Sequence, residues 1–204
     1  MIFDWFSSGF FDKLNRSHFN EIFLRRGSMR SMRLFGLIVI AASLFFACGR
    51  SPVEEEVPYM IFSKNSTLCL DVPGAQTGRG VQIILWRASD PDNPAPHHVW
   101  YFRKAPGGYK IFSRHSNLCL NVSGGSYNNN GAVIQWTDSG EEADNEIWEI
   151  SGKDDEGYTI TSIRSEKRLS AQDLDAHHGA KLVQHEYVDA ARADAQTWIF
   201  KKLQ

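Results

Sequence analysis

The sequence predicts an all-β fold built from three pseudo-symmetric units of about fifty residues, with four short strands in each. Two observations predict it. The segment Leu-Cys-Leu-Asp-Val at 68–72 returns as Leu-Cys-Leu-Asn-Val at 118–122, and a weaker copy follows at 168–172. A repeat of this kind indicates one supersecondary unit packed several times around a shared core. In addition, a tryptophan stands near the end of each unit: Trp100, Trp148 and Trp198.

Each unit offers four strand candidates separated by turn residues. Segments rich in Gly, Asn, Ser and Asp lie between the candidates, and these residue types favour turns. After residue 58 the only run with helical spacing is a short one at 189–196. Twelve strands can close into an antiparallel barrel with a covered end, which leaves no free sheet edge. In the second unit the predicted strands span about 109–113, 118–122, 132–136 and 146–151.

The tryptophans at the unit ends are predicted to be core residues. A buried tryptophan removes up to about 250 Å² of surface from water, so a threefold set fills a barrel without a ligand. Cys69 and Cys119 lie at equivalent positions between leucines. We expect both to be buried as small hydrophobic residues, with a disulfide between them as the alternative.

The segment 29–47 is predicted to be a signal peptide. Arg30 and Arg33 give it a positive start, and fourteen apolar or small residues follow up to Ala47. Fourteen residues are too few for a membrane span, which needs about twenty. The end of this segment, Leu-Phe-Phe-Ala followed by Cys48, resembles a bacterial lipoprotein signal. The resemblance implies that Cys48 is lipidated and anchors the protein in the cell envelope, at the outer membrane or cell surface; an uncleaved anchor is the alternative.

The segments on either side of the signal are not predicted to form a domain. Residues 1–28 lack the form of a signal, and Met29 or Met32 would each start an orthodox one. We therefore interpret residues 1–28 as a start-site overcall, with a real amphipathic extension as the alternative. Residues 48–58 contain proline and glutamate without periodicity, which predicts a tether that leads into the body at 59–204.

The charge distribution argues against nucleic acid as a partner. Residues 1–48 carry six Lys and Arg against three Asp and Glu, whereas residues 49–204 carry sixteen against twenty-one. The body is therefore mildly acidic, and phosphate recognition needs clustered basic side chains. The sequence has no nucleophile elbow, phosphate-binding loop or zinc-ligand spacing. We expect no catalytic residue, no cofactor and no metal site.

The repeat resembles the β-trefoil of the ricin B-type lectins, and the resemblance covers residues 59–204. The third unit keeps the Gln-x-Trp motif of the family, whereas His98 and Glu146 replace its glutamine in units one and two. The resemblance implies a β-trefoil fold and a carbohydrate-binding function without catalysis. It rests on Cys-Leu-Asp-Val at 69–72, Cys-Leu-Asn-Val at 119–122, Gly-Ala-Val-Ile-Gln-Trp at 131–136 and Gln-Thr-Trp at 196–198.

The resemblance also implies where a sugar would bind. In this family an Asp after the Cys-Leu pair accepts hydrogen bonds from sugar hydroxyls, and an aromatic residue about fifteen positions later lies under the apolar face of the sugar. Asp71 and Trp86 match these positions in unit one, and Asn121 and Trp136 match them in unit two. Capping of a turn is the alternative role for Asp71 and Asn121. In unit two, Asn145 stands just before the family motif and Glu146 occupies its first position. The expected carbohydrate-binding residues are therefore Asp71, Trp86, Asn121, Trp136, Asn145 and Glu146.

Other polar groups are weaker candidates. In unit three Gln172 stands in place of the carboxylate, and the segment 185–187 in place of the tryptophan, with Tyr187 as an alternative platform. His97 and His98 are adjacent, so we expect them to point to opposite sides of a strand and not to share a metal ion.

The sequence favours a glycan, either a polysaccharide or an oligosaccharide, as the partner of a non-catalytic protein. A trefoil that binds another protein, as an inhibitor or assembly subunit, is the alternative, because the same fold carries several functions. An enzyme is not expected, since the three units fill the chain from residue 59 to its end.

Overall fold

Twelve strands and six short 3-10 turns make up the part of the protein that the structure, a computed structural model, describes: residues 51–64, 66–88 and 90–204. Residues 1–28, interpreted as a start-site overcall, the predicted signal peptide and Cys48 lie outside this part. The strands are β1 (Tyr59–Ser63), β2 (Cys69–Asp71), β3 (Ile84–Trp86), β4 (Trp100–Ala105), β5 (Gly108–Ser113), β6 (Cys119–Val122), β7 (Gly131–Trp136), β8 (Trp148–Lys153), β9 (Gly157–Ser162), β10 (Arg168–Ala171), β11 (Leu182–His185) and β12 (Trp198–Lys202). The 3-10 turns are Pro73–Ala75, Pro96–His98, Ser123–Gly125, Asp144–Glu146, Gln172–Leu174 and Ala190–Gln196.

Six strands close into a barrel. They form three long antiparallel pairs, β4 with β5, β8 with β9 and β12 with β1. These pairs join edge to edge in a ring, so each of the six strands has a neighbour on both sides and exposes no unpaired edge. The three junctions are equivalent tyrosine–tryptophan pairs: Tyr59 with Trp100, Tyr109 with Trp148 and Tyr158 with Trp198.

The other six strands form three short hairpins that cover one end of the barrel. The hairpins are β2–β3, β6–β7 and β10–β11. They contact one another through pairing of β7 with β11 and through isolated bridges from Gln82 to Ile134 and from Ile84 to Lys181. The architecture is a β-trefoil, which confirms the predicted fold.

The three tryptophans at the unit ends lie in the core, as predicted. Trp100 and Trp148 are fully buried, and Trp198 is 1% exposed. Each indole N–H donates a hydrogen bond to a leucine carbonyl in the covering hairpin of its own unit. These acceptors are Leu70 at 3.2 Å, Leu120 at 3.0 Å and Leu169 at 3.3 Å. The tryptophans therefore connect the barrel to its covered end in the same way three times.

The strand predictions for unit two hold for the first three strands, whereas the last strand, predicted at 146–151, begins and ends two residues later. The segments 109–113, 118–122 and 132–136 coincide with β5, β6 and β7 to within one residue. The fourth strand, β8, begins at Trp148 because Asp144–Glu146 forms a 3-10 turn. The run with helical spacing at 189–196 is the longest of the 3-10 turns.

Both cysteines of the repeat are buried and free, so the disulfide alternative is not realised. The Cys69 thiol donates to the carbonyl oxygen of Trp86 at 3.5 Å, and the Cys119 thiol to that of Trp136 at 3.3 Å. Burial raises the pKa of Cys69 to about 12 and raises that of Cys119 as well. Both thiols therefore behave as packing groups.

Part of the segment expected to be a tether packs on the barrel. Val53 is 2% exposed and belongs to the hydrophobic core with Tyr59. The backbone N–H of Glu56 donates to the carbonyl oxygen of Phe102 at 3.0 Å. The folded body thus extends to residues before 59. Three glutamates fix this segment by ion pairs: Glu54 with Lys202, Glu55 with Lys104 and Glu56 with Arg103.

Candidate functional site

The strand register brings the expected polar residue and tryptophan of units one and two together. Asp71 ends β2, and its partner in β3 lies two residues before Trp86. Asn121 in β6 has the same relation to Trp136 at the end of β7. Cross-strand partners lie on one face of a sheet, and residues two apart share that face. In each unit the polar side chain and the indole therefore lie on the same face of the hairpin.

A groove of about 500 Å³ lies at unit two. Asn121, which is 4% exposed, and Trp136, which is 37% exposed, both line it. The Asn145 side chain lines it as well, and its amide N–H donates to the carbonyl oxygen of Val122 at 3.2 Å. The structure thus brings three of the four residues expected in unit two into one groove, where the Trp136 indole is accessible to a ligand.

Glu146 lies behind Asn121 and not in the groove. It is fully buried, and its Oε1 accepts the Asn121 Nδ2–H at 3.1 Å. The carboxylate also accepts the backbone N–H of Ser139 at 3.0 Å and the Ser139 hydroxyl at 2.8 Å. The expectation that Glu146 contacts a sugar directly is therefore corrected, because a buried and fully bonded carboxylate orients the Asn121 amide instead.

A buried lysine compensates the charge of Glu146. Lys110 Nζ lies 3.0 Å from Glu146 Oε2, donates to the carbonyl oxygen of Gly140 at 2.8 Å and contacts Asp138. Burial by itself would raise the pKa of Glu146, but the Ser139 hydrogen bonds and Lys110 hold that pKa below its usual value. Burial opposes the charge of Lys110 in turn, yet Asp138 and Glu146 raise its pKa. Both groups are therefore charged at neutral pH.

Arg164, which lies in unit three, completes the groove of unit two and was not expected from the sequence. Its Nε–H donates to the carbonyl oxygen of Gly125 at 2.8 Å, and its Nη1 lies 2.8 Å from Asp144 Oδ1. His115 holds the equivalent position beside unit one, with Nε2 2.8 Å from the carbonyl oxygen of Ala75. The repeat could have revealed this equivalence: His115 stands two positions after the serine that ends β5, and Arg164 stands two positions after the serine that ends β9.

A smaller groove of about 300 Å³ lies at unit one. Asp71, which is 3% exposed, and Trp86, which is 40% exposed, both line it. His97 lines it at the position that Asn145 holds in unit two. The structure therefore brings both expected residues of unit one into a groove and adds an imidazole.

His97 and His98 both approach Asp71, which corrects the expectation that they point apart. Pro96 begins a 3-10 turn that contains both histidines, and successive side chains in such a turn are rotated by about 120°. His97 Nε2 lies 3.7 Å and His98 Nε2 3.2 Å from Asp71 Oδ1. Burial, and then the neighbouring His98, lower the pKa of His97. One ligand atom from each of Asp71, His97 and His98 lies within 4.8 Å of the other two, a spacing that can hold a metal ion.

Both groove tryptophans contact a residue from a neighbouring unit. The His178 ring lies against Trp86, with the two ring centroids 3.5 Å apart. The Arg79 guanidinium lies over the Trp136 ring, 5.5 Å from its centroid. These contacts hold the indoles in place and leave the remaining exposed part of each ring as the surface on which a ligand can stack.

Unit three lacks both parts of the site. The register puts Ser170 at the carboxylate position and His185 at the tryptophan position. Gln172, expected at the carboxylate position, instead begins a 3-10 turn and is exposed. Tyr187, the alternative platform, is 59% exposed, and the Arg168 guanidinium lies 4.6 Å above its ring centroid. The site geometry of units one and two is therefore not repeated here.

The sequence matches a family model described as ricin-type beta-trefoil lectin domain-like, over residues 46–137 and again over 96–185. The two matches overlap and are offset by one repeat length, as the internal repeat requires. Among curated protein sequences there is no significant match. Within the described residues, no helix combines the length and apolarity that crossing a membrane would take.

Solved structures with the same fold include a designed threefold-symmetric protein, ThreeFoil. It is 28% identical with a TM-score of 0.64, over 72% of this chain and 99% of that chain. An exo-beta-1,3-galactanase from Clostridium thermocellum is 26% identical with a TM-score of 0.64, over 74% of this chain and 31% of that chain. A ricin B-like lectin from Macrolepiota procera, in complex with lactose, is 15% identical with a TM-score of 0.59, over 74% of this chain and 99% of that chain. The last likeness shows the fold alone.

Proposed function

The chain belongs to the family of ricin-type β-trefoil lectin-like domains, and from this membership we propose that it binds glycans, without catalysis, through sites in units one and two. One observation carries the proposal. At two threefold-equivalent positions, a buried polar side chain and a tryptophan that is more than a third exposed line the same groove. A sugar presents hydroxyls on its rim and C–H groups on one face, so this pair matches both of its surfaces.

In unit two the proposed ligand contacts come from neutral side chains, except for the contact of the charged Arg164. The Asn121 amide, oriented by Glu146, exchanges hydrogen bonds with ring hydroxyls. Trp136 stacks on the apolar face of the sugar, and Asn145 and Arg164 donate from the rim of the groove. Neutral hydrogen bonds have about half the strength of charge-assisted ones, but the larger groove gives this site more contacts.

In unit one the Asp71 carboxylate accepts hydrogen bonds from two adjacent hydroxyls, and Trp86 supplies the stacking surface. Charge-assisted bonds are stronger, but the groove is smaller and His178 already lies against the indole. We therefore expect unit one to hold a single sugar residue and unit two to extend to its neighbours.

The expected affinity favours polymeric glycans. A shallow site with a few such contacts binds a single sugar with a Kd near 1 mM, or about −4 kcal/mol. Two sites on one rigid body gain avidity on a ligand that reaches both. Lactose, bound by one structural neighbour, and β-1,3-galactan, which another neighbour's name specifies, are the first ligands to test.

We further propose that Cys48 carries a lipid that anchors the protein in the cell envelope. The support is the sequence before it, a short positive segment followed by fourteen apolar or small residues. Growth of the expressing bacterium with an alkyne-tagged fatty acid should label the wild type and not Cys48→Ser. Equal labelling of both would refute the anchor and leave the glycan proposal untouched.

The glycan proposal is tested by retention on immobilised β-1,3-galactan and lactose. Asn121→Ala/Trp136→Ala and Asp71→Ala/Trp86→Ala should each reduce retention, and the combined variant should abolish it with an unchanged circular dichroism spectrum. Tyr187→Ala removes an aromatic residue that is more exposed than either tryptophan but lies outside both grooves, and it should leave retention unchanged.

Two results would contradict the proposal. Full retention by the combined variant would place binding elsewhere on the protein. A broad glycan array without binding to the wild type, together with capture of one stoichiometric protein, would select the protein-binding alternative.

A further inference from the structure

We propose that Asp71, His97 and His98 form a binding site for a divalent transition metal ion, with Zn²⁺ the best fit. Imidazole nitrogen together with carboxylate oxygen is a donor set that Zn²⁺ accepts readily, whereas Mg²⁺ and Ca²⁺ prefer all-oxygen sites. The inference goes beyond glycan binding, because its ligand is the metal ion itself.

The distances suit such an ion. Zinc binds nitrogen and oxygen ligands at about 2.0–2.2 Å in a tetrahedron, which places neighbouring ligand atoms about 3.3–3.6 Å apart. The His98 Nε2 to Asp71 Oδ1 distance is 3.2 Å, and the His97 Nε2 to Asp71 Oδ1 distance is 3.7 Å. One ligand atom from each of the three residues lies within 4.8 Å of the ligand atoms of the other two. An ion can therefore contact all three atoms after small side-chain rotations.

The same atoms lack hydrogen-bond partners. Asp71 Oδ1 and both ring nitrogens of His98 are buried and have no hydrogen bond among the described residues, although His98 Nε2 lies close to the carboxylate. Buried polar atoms in native proteins are nearly always paired. A cation bound between the Nε2 lone pair and the carboxylate satisfies both atoms at once.

The charge balance differs from that of unit two. There, the buried carboxylate of Glu146 is paired with Lys110. Lys110 directly follows Tyr109 in β5, and Met60 directly follows the equivalent Tyr59 in β1. Unit one therefore has Met60, which is fully buried and uncharged, in place of the lysine. Among the described residues, the basic groups that lie close to the Asp71 carboxylate are the imidazoles of His97 and His98, which are charged only when protonated. A divalent cation would supply the positive charge that a lysine supplies in unit two.

Three protein ligands leave the fourth tetrahedral position to water. Asp71 and His97 also line the unit-one groove, so solvent and metal have an entry path. The Nδ1–H of His98 has no protein acceptor among the described residues, and loss of such an outer partner weakens metal binding by about 10–100-fold. We therefore expect reversible binding at micromolar concentrations.

The test is zinc titration of the purified full chain without a histidine tag, by calorimetry and by metal analysis after equilibrium dialysis. We expect about one equivalent of Zn²⁺, competition by Co²⁺ with the visible absorption of a tetrahedral complex, and no competition by Mg²⁺ or Ca²⁺. The double variant His97→Asn/His98→Gln should lose this binding at least tenfold. It places at these positions the residue types that units two and three already carry, Asn145 and Gln196, so the fold should tolerate it.

Two further variants keep the test decisive. His97→Asn alone changes a residue outside the core and should also weaken zinc binding at least tenfold. His177→Asn/His178→Asn removes the other adjacent histidine pair and should leave one equivalent bound. The proposal is overturned if the wild type binds no zinc at about 1 mM, or if binding survives in His97→Asn/His98→Gln, or if it is lost only in His177→Asn/His178→Asn.

Discussion

Replacement of Glu146 by alanine should destabilise the protein strongly, although the residue lies beside a groove at the surface. The carboxylate is fully buried and accepts hydrogen bonds from Asn121, Ser139 and Lys110. Alanine would leave the buried Lys110 ammonium with Asp138 as its remaining carboxylate partner. Removal of one partner from a buried ion pair costs about 3–5 kcal/mol, because the other charge stays buried.

This magnitude converts to a measurable shift in melting temperature. For a folded body of this size, 1 kcal/mol corresponds to about 2–4 °C. Glu146→Ala should therefore melt about 6–20 °C below the wild type. Glu146→Gln keeps the shape and can still accept from Asn121 and the Ser139 hydroxyl, but its amide NH2 then faces two donors, the Ser139 backbone N–H and the Lys110 ammonium. We expect the unfolding free energy of Glu146→Gln to be about 1.5–3 kcal/mol below that of the wild type.

The same network gives the stability a pH dependence. The pKa of Glu146 and that of Asp138 are both lower in the folded state than in free side chains. Their contribution is thus complete above the ordinary carboxyl range and is lost as the pH falls through the lowered folded values. The unfolding free energy of the wild type should fall below about pH 4.5. In Glu146→Gln this acid-dependent loss should be smaller.

Urea denaturation followed by tryptophan fluorescence measures these differences, with thermal melting as a second probe. Glu149→Ala is the matched control, because Glu149 lies three residues after Glu146, in β8, but is exposed. Its replacement should change the unfolding free energy by no more than about 0.5 kcal/mol. If Glu146→Ala costs less than about 1 kcal/mol, or no more than the control, the buried network does not stabilise the fold as described.

Three other outcomes are expected. Trp148→Ala should lower the unfolding free energy by about 3–5 kcal/mol in urea denaturation, whereas Trp136→Ala, at an exposed ring, should change it by no more than about 1 kcal/mol and should reduce glycan retention; equal losses of stability would contradict the division between core and groove. Val53→Ala should lower the unfolding free energy by about 1.5 kcal/mol at an unchanged denaturant slope, and no loss would show that the segment before residue 59 is not part of the body. Cys69 and Cys119 should react with a thiol reagent only in denaturant, as followed by mass spectrometry of the labelled peptides, and labelling in the native protein would contradict their burial.

The spacing of residues in the sequence predicts the fold and, in units one and two, the pair of groove residues formed by a polar side chain and a tryptophan. Tryptophans at one repeat length apart predict a threefold core, and the structure confirms it for Trp100, Trp148 and Trp198. A polar residue and a tryptophan at fixed separation on two paired strands must share a face, so the grooves of units one and two were predictable as pairs. These inferences use only local periodicity and the repeat itself.

What the sequence missed depends on contacts between distant segments or on turns. His97 and His98 were expected to alternate as in a strand, but Pro96 starts a 3-10 turn and brings both to Asp71. The glutamates before residue 59 stand in a polar segment without periodicity, which predicted a tether. Their ion-pair partners lie far along the chain, so the local pattern could not indicate that the segment packs on the barrel. Those partners are Arg103, Lys104 and Lys202. In unit three, Leu169 is nearly all that remains of the repeated motif. The alignment of this unit with the other two therefore had to come from the pairing of β10 with β11 in the structure.

One buried position determines what each unit can present to a ligand: the residue two before each core tryptophan, His98, Glu146 or Gln196. The Gln196 amide accepts from the backbone N–H of Val188 and donates to the carbonyl oxygen of Glu186, so it does not orient a polar side chain toward a groove. Glu146 holds the Asn121 amide toward a groove, and its own charge is compensated by Lys110. His98 instead faces the carboxylate of Asp71. The neighbouring tryptophan has the same place in all three units, and three different side chains with their own partners occupy this position in one fold. The chemistry of each site should therefore follow the charge at its buried base and not the exposed tryptophan that units one and two share.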